Sequence, residues 1–127
     1  MLKTTLVLGA STKADRYSNR AVRALSQKDH PVIAVGLREG SIGDHEIIIF
    51  TDAFAKASTL KQNLDTVTLY IGPARQPEYY DFIIALAPKR VIFNPGTENA
   101  ELYSLLEKNN IDFEIACTLV LLATNQY

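Results

Sequence analysis

The chain has 127 residues, 13 basic and 14 acidic, with 47% apolar and 21% charged side chains. A net charge of −1 gives no electrostatic footprint for nucleic acid or an anionic membrane surface, and no apolar run reaches the ~18 residues of a membrane span. One cysteine, Cys117, excludes an internal disulfide, and this length buries about two-thirds of the unfolded surface without staples.

Apolar residues 6–8 end at Gly9 and predict a short buried strand close behind Met1. This leaves no signal peptide in the reading, and the expected location is cytoplasmic. A polar turn follows, with hydroxyls at Ser11, Thr12 and Ser18 and cations at Lys13 and Arg16. The pattern predicts a helix over 18–28, with Ala21, Val22, Ala24 and Leu25 as its apolar face. Residues 32–35 are a second strand, closed by Gly36, and 38–43 are turn-rich with two glycines. Residues 47–50 read as a third strand, and Phe54, Leu60 and Leu64 suggest a short helix after a loop. Residues 67–71 are a strand stopped by Gly72-Pro73. Pro77 suits the first turn of the next helix, which buries Phe82, Ile83 and Leu86. A strand over 90–93 ends at Asn94-Pro95-Gly96, and Thr97 reads as the N-cap of a helix carrying Leu102, Leu105 and Leu106. The last strand spans 113–117. The apolar tail 119–123 packs back on the core or, alternatively, serves an interface with a second copy or a partner chain.

Alternation of strands and helices predicts one Rossmann-like α/β domain over residues 1–127. Its mostly parallel sheet has five to six strands, with helices on both faces. In such sheets a ligand lies beyond the carboxyl ends of the strands. Small residues, hydroxyls and the cations Arg16, Arg38 and Arg75 all follow strand ends, which predicts a cleft for an anionic nucleotide. The turn after the first strand lacks the G-x-G-x-x-G fingerprint, since position 11 is Ser and position 14 is Ala. At the end of the second strand, where an NAD site carries an acid, this chain has Gly36-Leu37-Arg38. A cation there favours an extra phosphate on the ribose, so the alternative is a NAD(P)-binding redox sensor or oxidoreductase accessory domain with NADP as its ligand. His30 and His45 fall at the wrong strand ends, Cys117 reads as strand packing, Tyr79 and Tyr80 as helix-face packing, and no cluster has metal spacing.

Gly9-Ala-Ser-Thr with Arg16-Tyr-Ser18, Pro31-Val-Ile-Ala-Val, Gly36-Leu-Arg38-Glu-Gly and Asn94-Pro-Gly-Thr-Glu-Asn99 together resemble the stand-alone CoA-binding domain proteins. These are similar to the N-terminal domain of the succinyl-CoA synthetase α subunit. The resemblance implies a Rossmann-like fold holding coenzyme A or an acyl-CoA. It places Gly9, Ser11, Arg16 and Ser18 around the phosphates, with Thr12 in the same turn, and Arg38 near the 3′-phosphoadenosine. Gly72, Pro73, Asn94, Gly96 and Thr97 would line the rest of the cleft. The synthetase's phosphorylated histidine lies in a separate domain, and neither His30 nor His45 matches it. The expectation is therefore a small-molecule binding module without catalysis of its own.

Overall fold

The computed structural model describes residues 1–127. β1 (Thr5–Leu8) leads through a loop to α1 (Tyr17–Gln27), β2 (Val32–Gly36), β3 (Gly40–Ile42) and β4 (His45–Ile49). Two short helices follow, α2 (Phe50–Ala55) and α3 (Ala57–Leu60), then β5 (Thr66–Leu69), a 3-10 helix (Pro73–Tyr79) and α4 (Tyr80–Leu86). β6 (Arg90–Phe93), α5 (Ala100–Lys108), β7 (Asp112–Ile115) and α6 (Thr118–Ala123) complete the chain. The sheet runs β3-β4-β2-β1-β5-β6-β7, parallel throughout except for the β3–β4 hairpin.

The sheet thus has seven strands rather than five or six. The additional one, β3, comes from the turn-rich segment. Its three residues carry little strand propensity and owe their conformation to pairing with β4, Gly40 opposite Ile47 and Ile42 opposite His45. Phe50 begins α2 instead of ending a strand. Pro77 lies inside the 3-10 helix, and α4 starts only at Tyr80. Asn99, not Thr97, caps α5, its side chain accepting from Glu101 N–H at 3.1 Å.

The period-two pattern of β1 divides the core. Leu6 and Leu8 point to one face, where Val67, Leu69, Phe82, Phe93, Leu102 and Leu106 pack under α2 to α5. Val7 points to the other, with Val22 and Leu25 of α1 and Leu122 of α6. Helices therefore cover both faces, and the apolar tail folds back as α6 against α1. No helix is long and apolar enough to cross a membrane.

Candidate functional site

Connections from β1 lead to β2 on one side, whereas the chain re-enters at β5 on the other. The order therefore reverses at the β1–β5 boundary, where an open α/β sheet forms its crevice. The crevice is built by close backbone approach. Gly9 and Ala10 N–H both donate to the Val35 carbonyl at 2.9 Å, drawing the turn after β1 over the end of β2. Gly9 has φ +99°, and a Cβ there would lie 2.9 Å from the Tyr70 carbonyl oxygen beyond β5. A Cβ on Gly36 would meet the Ala10 carbonyl oxygen in the same way. Glycine is needed at both points because any side chain would wedge the strand ends apart.

The resulting cleft has a volume of about 370 Å³ and is lined by four cations, Lys13, Arg16, Arg38 and Arg75, with no Asp or Glu. None of the four has a carboxylate partner, since the chain's one ion pair, Arg90–Glu114 at 3.2 Å, involves none of them. The loop between β1 and α1 adds polarity of the same sign. Ser11, Thr12, Ala14 and Asp15 N–H groups find no acceptor within the chain, while Lys13 N–H reaches Ser11 Oγ at 3.2 Å. α1 begins directly after this loop with neither a side-chain cap nor an acidic residue in its first turn. Its amino end carries about half a positive charge. Ser11 and Thr12 with free N–H groups, Arg16 at the start of α1 and four unpaired cations thus line one concavity, while Ala14 and Asp15 lie outside its lining; such a combination suits phosphate.

Of the residues singled out in the sequence, Gly9, Ser11, Thr12, Arg16, Arg38 and Gly72 line this cleft. Ser18 is buried in the first turn of α1, and Pro73 opens the 3-10 helix just outside the lining. Asn94, Gly96 and Thr97 are not brought to the cleft wall. Asn94 is 1% exposed. Its Nδ2 donates to Thr68 Oγ1 at 2.7 Å and to the Leu69 carbonyl at 2.9 Å, and its Oδ1 accepts from Thr118 N–H at 2.9 Å. Thr97 Oγ1 donates to the Asn94 carbonyl at 2.7 Å, and the Thr97 carbonyl accepts from Gln76 Nε2 at 2.7 Å. Gly96 N–H donates to Glu98 Oε1 at 2.8 Å. This turn ties β5, β6 and α6 together with its own polar groups.

Tyr70 and Tyr79 also wall the cleft, although the sequence reads them as strand and helix packing. Tyr70 lies one residue past β5; its carbonyl faces Gly9 at the crevice, while its side chain packs against the core on the Val7 face and its hydroxyl is buried without a hydrogen-bond partner. The nearby Thr68 and Thr118 hydroxyls bond each other at 2.7 Å. Burial pushes the Tyr70 phenol up to about 12. Cys117 is half-buried and precedes α6, two residues beyond the strand in which it was expected. His30 and His45 lie outside the cleft lining, and no group of three His, Cys, Asp or Glu stands close enough to hold a metal.

Residues 3–123 match the family model described as CoA binding domain. A crystal structure of an uncharacterized protein superposes with a TM-score of 0.89 at 41% identity, covering 100% of this chain and 99% of its own. A cell-free protein from Thermus thermophilus shares the fold at a TM-score of 0.80 and 21% identity, covering 99% of this chain and 91% of its own. A hypothetical protein from Pyrococcus horikoshii OT3 does so at 0.78 and 20%, covering 94% and 80%. No curated protein matches the chain.

Proposed function

The chain belongs to the CoA-binding domain family, and we propose that the cleft between the ends of β1 and β5 is where it binds coenzyme A or an acyl-CoA. The observation that carries this reading is the set of four cations without carboxylate partners around one concavity of about 370 Å³. The diphosphate lies against the free N–H groups of the loop 11–15 and the amino end of α1, with Ser11, Thr12, Lys13 and Arg16 supplying hydroxyls and charge. Arg38, carried past the end of β2, takes the ribose 3′-phosphate. Gly72 and Arg75 flank the route of the remaining arm beyond β5. Asn94 and Thr97 stand outside this site, with their polar groups engaged within the fold. No chemical step is assigned to these residues: the role is to bind and present the ligand.

Each charge-assisted hydrogen bond contributes roughly 1.5–3 kcal/mol, so a few give micromolar affinity, about −8 kcal/mol. Titration calorimetry with CoA, acetyl-CoA, dephospho-CoA and NADPH tests the reading. CoA and acetyl-CoA are expected to bind in the micromolar range, and dephospho-CoA, lacking the ribose phosphate, at least about tenfold more weakly. Arg38→Ala is expected to erase that difference. Absence of heat with any CoA species at high micromolar protein overturns the proposal. Arg38 also suits the 2′-phosphate of NADP, and tighter binding of NADPH than of CoA would move the assignment there.

A further inference from the structure

The loop 11–15, whose Ser11, Thr12 and Lys13 line the cleft, has little structure of its own. Its internal bonds are Lys13 N–H to Ser11 Oγ and Arg16 N–H to the Lys13 carbonyl, at 3.2 and 3.1 Å. Thr12 packs its methyl against Gly40 of β3, and the side-chain hydrogen bonds that tie the loop down come from α1. Asn19 is 4% exposed, and its Nδ2 donates to the Ser11 carbonyl at 2.8 Å. Arg23, one turn further on, donates from Nε to Asn19 Oδ1 at 2.9 Å and from Nη2 to the Ala14 carbonyl at 2.8 Å. The Arg23 bond sets which end of the Asn19 amide faces the loop. The planar guanidinium reaches two acceptors at once, which an ammonium on a flexible stem does not do in that geometry. In a trans peptide the carbonyl and the following N–H point opposite ways. Holding the Ser11 and Ala14 carbonyls toward α1 therefore turns the Thr12 and Asp15 N–H groups away from the helix, and both are without an acceptor in the chain. An asparagine inside a helix has poor intrinsic propensity, so its placement here needs such a tertiary reason.

We infer that Asn19 and Arg23 are positioning residues for diphosphate binding: a brace from α1 that pre-sets the loop 11–15 with its N–H groups directed outward. This rests on the CoA reading for the identity of the ligand, but not for the brace itself. Neither residue lines the cleft, so each acts through the loop backbone.

The test compares wild type with Asn19→Ala, Arg23→Ala and Arg23→Lys. Arg23 is exposed, so its variants are expected to fold even if Asn19→Ala does not. Backbone ¹⁵N relaxation on the ligand-free chain should give rigid order parameters, about 0.85, across residues 11–16 in wild type and values below about 0.6 in the variants. Calorimetry should show CoA binding weakened about tenfold for Asn19→Ala or Arg23→Ala, about 1.4 kcal/mol. Affinity for 3′-AMP, which lacks the diphosphate, should stay within about twofold of wild type, where general loss of structure would weaken both ligands. Unchanged loop order in the variants overturns the brace, as does equal weakening of CoA and 3′-AMP. Full recovery by Arg23→Lys also overturns it, by showing that charge alone suffices. If wild type binds no CoA while the variants lose loop order, the ligand reading falls and the brace stands.

Discussion

The two ends of the sheet use similar residues to opposite effect. At the carboxyl end, Lys13, Arg16, Arg38 and Arg75 face a cleft with no acid. At the amino end Arg90, Lys3 and His30 are engaged by neighbours, although Arg90 Nη2 is buried without a hydrogen-bond partner. Arg90 donates to Thr66 Oγ1 at 2.9 Å and to Glu114 at 3.2 Å, and its guanidinium lies 4.4 Å from the centre of the Tyr127 ring. Lys3 Nζ donates to the Tyr127 main-chain oxygen at 2.7 Å, and the Tyr127 hydroxyl bonds Thr5 Oγ1 at 2.6 Å. His30 Nδ1 accepts from Lys3 N–H at 2.9 Å, and its ring meets that of Tyr127 edge-on at 4.9 Å. Polar groups at the amino end contribute to stability because they satisfy one another. At the carboxyl end Asn94 and Thr97 are engaged in the same way, whereas the four cations of the cleft have no carboxylate partner. Composition does not distinguish the two ends; partnering does.

The largest expected effect breaks the open end. Ser11→Asp places a carboxylate beside the free N–H groups of the loop, where it competes for them and repels phosphate. CoA affinity is expected to fall about a hundredfold, near 2.8 kcal/mol, with thermal stability close to wild type. Calorimetry and a melting curve check both halves, and retained affinity would remove the loop from the site. Next, Tyr127→Ala breaks the closed end. A buried aromatic-to-alanine change costs about 3–5 kcal/mol, and for the half-buried Tyr127 a loss of about 2 kcal/mol is expected in urea unfolding. CoA affinity should not move, and parallel loss of binding would show that the ends are coupled.

The smallest effect is one of pH. Burial, then the nearby positive charges of Lys3, the N-terminus and Arg90, lower the His30 pKa below its usual 6.5, against a weaker opposing effect of Asp29. The unfolded chain therefore takes up the proton first, and stability declines as pH falls from about 6.5 toward the lower folded value. Protonation at Nδ1 also removes the acceptor for Lys3 N–H. His30→Gln, which keeps an acceptor without titrating, should flatten denaturant midpoints between about pH 7 and 5, and identical slopes would exclude His30 as the cause.

Much of the fold is legible along the chain because its signals are local. Residues 6–8, 32–35 and 91–93 are apolar runs bounded by glycine, proline or polar residues, and all lie within strands of the sheet. β3 is not legible, since Gly40-Ser41-Ile42 becomes a strand only when β4 supplies its hydrogen bonds. Phe50 continues an apolar run and looks like strand, yet the chain turns there into α2 to pack its ring 4.3 Å from that of Tyr79. In the candidate site, Gly9, Ser11, Arg16 and Arg38 stand out because they follow strands. Asn94 and Thr97 follow a strand too, and their sequence looks the same whether they meet a ligand or a neighbouring peptide. Asn19 and Arg23 carry no signal along the chain, because the Ser11 and Ala14 carbonyls they bond are brought to them only by the fold of the loop.

From the sequence alone come the alternation of strand and helix, the glycine turn after β1 and the side of the sheet on which cations gather. Each depends on backbone preference or on spacing within a few residues. Tertiary structure alone decides which polar groups are used up and which stay open. Asn94 is satisfied by residues more than 20 positions away on either side, whereas the N–H groups of Thr12 and Asp15 are left free. Hydrogen-bond satisfaction depends on what the fold brings alongside, which no local stretch of sequence records.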